Sequence, residues 1–500
     1  VLYRGLGLLW VGRGVAKPQA GGEEWGWSPL VQVLLVAVLW VGLEWVRGNY
    51  SMLGPEGLPW LYMGYTQSPA LVMCQMADLI GVSGVSFWVV LVNALIALWV
   101  LERFSFRRLH SVLACIAVVL GAVLGYGIFR MSQNATYPGP RVMVVQPNYI
   151  QDNTGQKGAT QREINDFHFE TTRKALEAEA AQGRQVDLVV WSETMMPAVN
   201  PRTRDFFGAR GIFYFDEMHE ALRNLAYDFR TALLVGGAFG DRWIVVDGDA
   251  VPKEKRNSAY FFNAAGLDTG VRYDKVHLVP FGEFIPFQNS WPWLYRQLIN
   301  LGPPNMEDYQ LTRGDADALT VFTLEKHMPT TTFSTTQAAH MSDRSAWRFV
   351  TPICFEDVDP RICSRMFRPE SGGGRNKRAD FLVNITNDGW FRANEMPQHL
   401  QAAVFRSIEN RAPTARSVNT GISGFIDSVG RTHDLVPAST EGWNVATLTL
   451  DTRLSLFTRA GDIFAAACSV VTGAAVVAVI GATARARQLR RRQAEAGNGR

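Results

Sequence analysis

Long apolar runs alternate with mixed polar segments along this chain, and the two kinds of stretch predict different structures. Four runs are strongly apolar: residues 30–46, 82–101, 111–129 and 463–483. A membrane-spanning helix needs about 20 predominantly apolar residues, so each run is long enough to be a candidate span. A buried core helix is the alternative for any single run, but four such runs with basic flanks favour membrane spans.

Basic residues next to these runs predict how the chain crosses the membrane. They lie between the second and third runs and directly after the fourth: Arg103, Arg107, Arg108, Arg485, Arg487, Arg490, Arg491 and Arg492. Cytoplasmic segments are enriched in Lys and Arg, so we expect both clusters on the cytoplasmic side and residues 137–455 on the opposite side. Nucleic-acid binding is the alternative for the last cluster, but its position directly after a span is more typical of topology.

Between the third and fourth runs the pattern changes to short apolar strands and amphipathic helices. The predicted strands are residues 141–146, 187–191, 232–236, 258–263, 348–353, 380–385, 424–427 and 445–450. Helical periodicity covers residues 166–181 and 398–411, and Pro397 suits the first turn of the second helix. Strands that alternate with helices predict sheets covered by helices. Residues 312–345 are rich in Thr, Ala and Ser, which indicates a long loop or an insertion.

These patterns divide the chain into three parts. We predict a transmembrane helical region over residues 1–136, a mixed α/β domain over 137–455, and a last span with a basic tail over 456–500. Five hundred residues exceed one ordinary domain. Charged residues make up 19% of the chain, below the quarter or so that is usual in soluble proteins. The net charge of +3 indicates no particular partner.

Three reactive side chains stand at the ends of predicted strands. Glu193 follows residues 187–191, Lys275 precedes a loop rich in Pro and Gly, and Cys354 follows residues 348–353. Together they can carry out acyl chemistry, because a carboxylate can take the proton of a thiol and an ammonium favours the thiolate and the later oxyanion. A lone Cys is most often a small buried apolar residue. The other two residues favour a nucleophile here, provided that the tertiary fold brings them together.

Two alternatives for the thiol stay open at this point. His277 could form a Cys–His dyad with Cys354, although it lies two residues from Lys275 and would face the other side of a strand. Cys354 and Cys363 could form a disulfide in an oxidising compartment, which would remove the nucleophile. The chain has no C-x-x-C pair and no metal-type Cys/His cluster, so we expect neither a metal site nor a cofactor.

The residues around the three side chains form a set of motifs in a specific order. They are Trp191-Ser192-Glu193, residues 273–283 and Cys354-Phe355-Glu356. This set resembles the Glu–Lys–Cys signature of the nitrilase, or carbon–nitrogen hydrolase, superfamily. Next to membrane spans it is similar to one branch, the apolipoprotein N-acyltransferase family. Further matches to that branch are residues 43–47, 58–60, 64–67, 387–391 and 416–421.

The resemblance implies a fold, an activity and a location. It implies a nitrilase-like α-β-β-α sandwich inserted between transmembrane helices of the bacterial inner membrane, with the catalytic domain on the periplasmic side. Cys354 would take an acyl chain from a phospholipid, with Glu193 as base and Lys275 as cation. The amine of an S-diacylglyceryl-cysteine apolipoprotein would then attack the thioester. The branch usually has more spans than this chain shows, so we expect that N-terminal spans are missing.

The resemblance also implies supporting and substrate-binding residues. Glu283 and Glu356 match glutamates that accompany the three catalytic residues, and loop salt bridges are the alternative for both. Trp390 matches a residue of the acyl pocket, with a plain core Trp as the alternative. Trp60 and Tyr65 lie between the first two spans and would form the lipid-side rim of the site, unless they belong to an interfacial aromatic belt.

Two rival functions use the same sequence features. A membrane-tethered nitrilase-type amidase that hydrolyses a C–N bond would share all three catalytic residues and differ in its second nucleophile, water. An inactive nitrilase-like scaffold would only bind, although the intact Glu193, Lys275 and Cys354 argue against it. Phe355 departs from the family pattern, which commonly has Tyr at this position, and this leaves the detail of the pocket open.

Overall fold

The computed structural model describes residues 29–49, 57–101, 106–150, 158–302, 310–326, 345–370, 376–391 and 394–497. Residues 1–28, the first part of the predicted transmembrane region, therefore lie outside the described residues. So do most of residues 312–345. The same holds for the side chains of the arginines between the second and third predicted spans.

The described part of the chain begins with a group of apolar helices. They are α1 (Pro29–Asn49), α2 (Leu71–Cys74), α3 (Ala77–Leu101) and α4 (Phe106–Ser132). By length and composition α1, α3 and α4 are able to cross a membrane, as the apolar runs predict. Helix α3 is kinked at Gly81, whose φ is +71°. A Cβ at this position would lie 2.5 Å from the ring of Phe457, so a glycine is needed both for the backbone conformation and for the packing.

Two six-stranded sheets follow in the described part of the chain. The strands are β1 (Thr136–Gln146), β2 (Leu188–Met196), β3 (Ala232–Val246), β4 (Asp249–Phe262), β5 (Asp268–Asp274), β6 (Phe322–Glu325), β7 (Ala346–Val350), β8 (Phe381–Asn387), β9 (Thr414–Asn419), β10 (Ser423–Ile426), β11 (Thr432–Val436) and β12 (Gly442–Asp451). Their order is β12-β1-β2-β3-β4-β5 in the first sheet and β11-β10-β9-β8-β7-β6 in the second. Parallel pairs form the middle of each sheet, β1–β2–β3 and β7–β8–β9, and the other pairs are antiparallel.

Helices cover the outer faces of both sheets. The helices of this domain are α5 (Gln161–Ala181), α6 (Pro201–Gly208), α7 (Tyr214–Phe229), α8 (Pro292–Leu301), α9 (Pro360–Phe367) and α10 (Met396–Asn410). One apolar core lies between the sheets, and a second lies between the first sheet and α5 and α7. A third joins α10 to α3 and to the segment before it. The predicted α-β-β-α sandwich is therefore confirmed, and its α10 layer packs on the membrane helices.

The chain returns to the membrane helices through α11 (Leu456–Ala460) and ends in α12 (Ile463–Gly497). Helix α12 is the fourth candidate span and packs on α1. A buried ion pair fixes the α/β domain to this helical part: Arg411 Nε, at the end of α10, donates to Asp78 Oδ2 at 2.9 Å. Glu409 Oε1 also accepts a hydrogen bond from the backbone N of Val82 at 2.8 Å, next to the kink of α3.

All eight of these predicted strands are present, β5 is the strand at whose end Lys275 was expected, and β6, β9 and β11 were not predicted. Strand β6 lies inside residues 312–345, so of the two alternatives for this segment the long loop is wrong for Phe322–Glu325, which pairs with β7. Strand β9 was missed because its sequence, Thr-Ala-Arg-Ser-Val-Asn, is mostly polar although all six residues are buried. The predicted helices over residues 166–181 and 398–411 correspond to α5 and α10.

Candidate active site

The predicted carboxylate and amine meet in one buried cluster. Glu193 lies in β2, and Lys275 directly follows β5 of the same sheet. Lys275 Nζ lies 3.1 Å from Glu193 Oε1 and 2.8 Å from Glu283 Oε1. Burial lowers the pKa of the Lys275 ammonium, but the carboxylates of Glu193 and Glu283 outweigh this and hold it well above its ordinary value. The two carboxylates therefore favour the charged form of Lys275.

Asn257 completes this cluster, and sequence reasoning missed it. Its Nδ2 donates to Glu193 Oε1 at 2.6 Å and lies 3.3 Å from Glu283 Oε1. The backbone N of Lys275 in turn donates to the carbonyl oxygen of Asn257 at 2.8 Å. One residue of β4 thus orients both carboxylates and the backbone that carries the amine.

Cys354 occupies a strained turn after β7. Its φ of +50° lies in the left-handed region, which costs a residue other than glycine about 1–3 kcal/mol. Thr194, next to Glu193, has a φ of +55°, and Phe281, close to Glu283, has a φ of +62°. Strain of this kind persists only where the surrounding structure imposes it, and it clusters at active sites. The segments that contain Glu193, Glu283 and Cys354 therefore each include a residue in the strained left-handed region.

The electrostatics of the site keep the thiol neutral before reaction. Burial raises the pKa of the Cys354 thiol well above its ordinary value, the Glu193 carboxylate raises it further, and the Lys275 ammonium lowers it. Burial also raises the pKa of Glu193, against the opposing effect of Lys275. A carboxylate with a raised pKa is a better proton acceptor. The arrangement suits removal of the thiol proton during attack rather than storage of a thiolate.

Glu356 binds the backbone on both sides of the site. Its Oε1 accepts hydrogen bonds from the backbone N of Val276 at 2.6 Å and of His277 at 3.0 Å. Its Oε2 accepts one from the backbone N of Ile353 at 2.8 Å. One fully buried carboxylate thus ties the segment after the amine to the residue before the thiol. This geometry supports a positioning role, whose effect on catalysis stays a prediction.

Neither alternative for the thiol is supported by the geometry. His277 Nδ1 lies 3.2 Å from Asp359 Oδ2, and no hydrogen bond joins its ring to Cys354 in the described residues. All five cysteines lie in the described part of the chain, and each is free, so Cys354 and Cys363 form no disulfide. The thiol of Cys354 is therefore free, and its role as the nucleophile stays a prediction.

The end of α1 holds the segment that carries Trp60. Glu44 Oε1 accepts a hydrogen bond from the backbone N of Met63 at 2.8 Å, and Arg47 donates to the carbonyl oxygen of Trp60. These contacts give a structural reason for the matched motif at residues 43–47. The Trp60 ring stacks on Phe355 with centroids 6.1 Å apart and an interplanar angle of 4°. A segment between two membrane helices therefore contacts the residue that follows the nucleophile.

A cavity of about 420 Å³ opens beside this segment. It is lined by Trp60, Leu61, Tyr62, Met63, Tyr65, Thr66, Val358, Gln398, Gln401 and Ala402. Trp60 and Tyr65, two of the predicted substrate-binding residues, both contribute to the lining. Trp390, the third, is 49% exposed at the end of the short 3-10 helix Asp388–Trp390. Substrate binding by these residues stays a prediction.

A buried network of charged residues next to the nucleophile turn was not predicted. Asp357 Oδ1 lies 2.8 Å from His399 Nε2, and Asp388 Oδ1 lies 2.7 Å from His399 Nδ1. Arg416 Nη1 donates to Asp357 Oδ2 at 2.6 Å. The matched motifs at residues 387–391 and 416–421 contain two members of this network. His399 had no such signal, because it is one polar residue on an amphipathic helix.

Known proteins resemble this chain in both of its parts. Residues 1–95 match the apolipoprotein N-acyltransferase N-terminal domain, and residues 168–455 match the carbon-nitrogen hydrolase family. Apolipoprotein N-acyltransferase of Geobacter metallireducens is 31% identical over 468 residues, which cover 92% of this chain and 75% of that protein. The enzyme of the same name from Chlorobaculum tepidum is 27% identical over 469 residues, 90% of this chain and 77% of that protein.

Among solved structures, a CN-hydrolase superfamily protein of Xanthomonas campestris aligns with a TM-score of 0.39 and 15% identity, over 62% of this chain and 90% of that chain. The relatives match the helical part and the α/β domain together, and the carbon-nitrogen hydrolase match covers more than half of the chain. The chain belongs to the apolipoprotein N-acyltransferase family, and its α/β domain to the carbon-nitrogen hydrolase family.

Proposed function

We propose that this chain moves an acyl chain from a membrane phospholipid to Cys354 and then to the N-terminal amine of an S-diacylglyceryl-cysteine apolipoprotein. Membership of the family makes the chain an acyltransferase that N-acylates apolipoproteins; the phospholipid donor, the thioester and the residue roles are the proposal. One observation carries it. Glu193 and Lys275 form a buried ion pair at 3.1 Å whose charges act on the Cys354 thiol, and Phe355, the next residue, belongs to the apolar cluster that α10 forms with α3.

In the first half-reaction, the sulfur of Cys354 attacks the ester carbonyl of the phospholipid while Glu193 takes the thiol proton. Lys275 stabilises the oxyanion of the tetrahedral intermediate. The ester C–O bond then breaks, and Glu193 returns the proton to the departing alcohol of the lysophospholipid. The acyl chain remains on Cys354 as a thioester.

In the second half-reaction, the neutral amine of the diacylglyceryl-cysteine attacks the thioester carbonyl. A C–N bond forms, the C–S bond breaks, and the amine proton passes through Glu193 to the departing sulfur. This restores the Cys354 thiol and the Glu193 carboxylate. Burial of Lys275, Glu193 and Cys354 keeps bulk water from competing with the amine.

The helices and the charges of the chain support a location for the enzyme. The chain is a membrane protein by family, and four helices of its described part are long and apolar enough to cross a bilayer. We assign residues 1–136 and 456–500 to the membrane part and residues 137–455 to a periplasmic catalytic domain at the inner membrane. The arginine clusters support this orientation, and it gives the site direct access to two substrates that reside in the bilayer.

Cysteine labelling of whole cells tests this orientation. Asp247→Cys places a thiol in the exposed turn between β3 and β4, and we expect a maleimide that cannot cross the inner membrane to label it. The matched variant Gln488→Cys, among the C-terminal arginines, should react only after the inner membrane is disrupted. Labelling in the reverse pattern would contradict the assignment.

The intact mass of the purified full-length chain tests the thioester. After incubation with a phospholipid of defined acyl chains, we expect a mass gain of one acyl group, and neutral hydroxylamine should remove it. Addition of a diacylglyceryl-cysteine peptide should then give the N-acylated peptide and the unmodified enzyme. An adduct that is lost to water without N-acylated peptide would identify a hydrolase instead. The absence of both adduct and product would identify a scaffold.

A further inference from the structure

Four charged side chains form a buried cluster beside the nucleophile turn, and the two half-reactions do not use them. This charged cluster consists of Asp357, Asp388, His399 and Arg416, each at most 1% exposed. Its members come from four separate elements: the turns that follow β7 and β8, helix α10 and strand β9. Buried charges are tolerated only when they are paired. The cluster contains two carboxylates and two basic groups, so its charges balance only if His399 is protonated.

The contacts of His399 indicate that its imidazole is protonated. Each ring nitrogen faces a carboxylate oxygen, at 2.8 Å from Asp357 and at 2.7 Å from Asp388. A neutral imidazole has a single N–H, so it would direct a lone pair at one of the two carboxylates. Burial lowers the pKa of the His399 imidazole, but the two carboxylates outweigh this and raise it to about 9.

Asp388 connects this cluster to the reacting sulfur. The carboxylate of Asp388 raises the pKa of the Cys354 thiol, after the larger effects of burial, Glu193 and Lys275. The Thr386 hydroxyl lowers the pKa of the same thiol and lies 3.4 Å from Asp388 Oδ1. Asp388 Oδ2 has no hydrogen-bond partner in the described residues and lies 3.5 Å from Arg416 Nη2. The negative charge of Asp388 is therefore balanced chiefly through His399.

The charge of Arg416 also acts on the imidazole and opposes the effect of the two carboxylates. Arg416 donates to Asp357 Oδ2, whereas His399 faces Oδ1 of the same carboxylate. Arg406, on the same helix as His399, is paired with Glu409 at 3.0 Å. Two aromatic rings cover the imidazole, with centroids 5.4 and 5.6 Å away: those of Trp60 and Phe391.

We propose that His399 is a positioning residue that sets the reactivity of the nucleophile, because its imidazolium neutralises the two carboxylates beside the Cys354 turn and ties that turn to the one after β8. The inference rests on the proposed function only in taking Cys354 as the nucleophile. It predicts that charge changes within the cluster shift the ionisation of the thiol in a direction that follows their sign.

Two single variants of opposite sign test this. His399→Gln removes a positive charge and keeps a polar side chain, so the thiol pKa should rise and alkylation of Cys354 by iodoacetamide at neutral pH should slow about tenfold. Asp388→Asn removes a negative charge next to the same sulfur and should speed alkylation. The rate is read at Cys354 by peptide mass across a pH range, with the full-length chain in detergent. The midpoint of the profile should move up for the first variant and down for the second.

Loss of packing alone gives a different result, since a loosened turn exposes the thiol and speeds alkylation in both variants. The double variant His399→Gln/Asp388→Asn restores the charge balance and should return the profile towards that of the unmodified chain. His219→Gln is the matched control, because His219 is a buried histidine paired with Asp268 at 3.0 Å on the outer face of the first sheet. Its alkylation profile should not move.

The proposal is wrong if His399→Gln alkylates as fast as the unmodified chain, or if both single variants move the profile in the same direction. If His399→Gln does not fold, the sign of the Asp388→Asn shift decides. Alkylation needs no phospholipid, so it tests His399 separately from the proposed acyl donor. A shifted alkylation profile with unchanged acylation would instead overturn the role of Cys354 as the nucleophile.

Discussion

Cys354→Ala should abolish both the acyl adduct and the N-acylated product. The sulfur is the only atom of the site that can hold the acyl chain in the proposed reaction, so we expect a loss of roughly 10⁴-fold or more in turnover. Alanine keeps the Cβ, so the strained turn at φ +50° is preserved. The measurement is single-turnover transfer from a fluorescent phospholipid, together with the intact mass of the enzyme.

Cys363→Ala is the matched control for this experiment. Cys363 is also free and fully buried in the same domain, and its sulfur lies 3.6 Å from the carbonyl oxygen of Glu356. The Lys275 ammonium lowers the pKa of the Cys354 thiol, and this is the thiol that we propose as the nucleophile. We therefore expect Cys363→Ala to form the adduct normally. A covalent acyl adduct on the Cys354→Ala variant would show that the nucleophile lies elsewhere.

The second large effect is expected for Glu193→Gln, which keeps the shape of the side chain and removes the base. Loss of a general base typically costs about 10²–10⁴-fold, and the expected loss applies to single-turnover acylation at neutral pH. Burial raises the pKa of the Cys354 thiol even without the Glu193 charge, so the unassisted thiolate fraction grows about tenfold with each pH unit below that pKa. The residual rate of the variant should therefore keep rising with pH.

The unmodified chain should instead level off once Glu193 has lost its proton, since the base then no longer limits attack. Glu356→Gln separates this effect from a general loss of order. Glu356 is equally buried but bonds to the backbone N of Val276 and Ile353, so its variant should lose rate without a change in the shape of the pH profile. Acylation by Glu193→Gln at the unmodified rate at neutral pH would contradict its role as base.

Three carboxylates, those of Glu193, Glu283 and Glu356, lie around the thiol and the amine, and each has different partners. Glu193 and Glu283 keep Lys275 charged at 3.1 and 2.8 Å, and Glu356 fixes the backbone between the segments. In a buried site these interactions are stronger than in water. The cost of burial is offset because each carboxylate has a charged or backbone partner.

The sequence alone was enough to predict the helices and strands whose buried residues are apolar. The four apolar runs lie in helices that are long and apolar enough to span a membrane. All eight predicted strands are also present. Strand β9 escaped prediction because its buried polar side chains are satisfied by tertiary contacts. Ser417 Oγ, for example, donates to the carbonyl oxygens of Val145 and Val190 in the facing sheet. A prediction from hydropathy places such polar residues at the surface. Their hydrogen-bond partners are remote in the chain, so the local sequence gives no sign that they are buried.

The site divides in the same way. Glu193, Lys275 and Cys354 could be predicted from the sequence because they stand in motifs at strand ends. The family and the fold that these motifs imply are confirmed, and the roles of the three residues stay predictions. Only the tertiary structure revealed Asn257 and His399, which no local pattern distinguishes from surface polar residues. Their role arises from partners on other elements: Asn257 Nδ2 lies 2.6 Å from Glu193 Oε1, and His399 lies between two buried carboxylates. Packing of the two sheets and of α10 brings these charges together, and burial then makes their pairing obligatory.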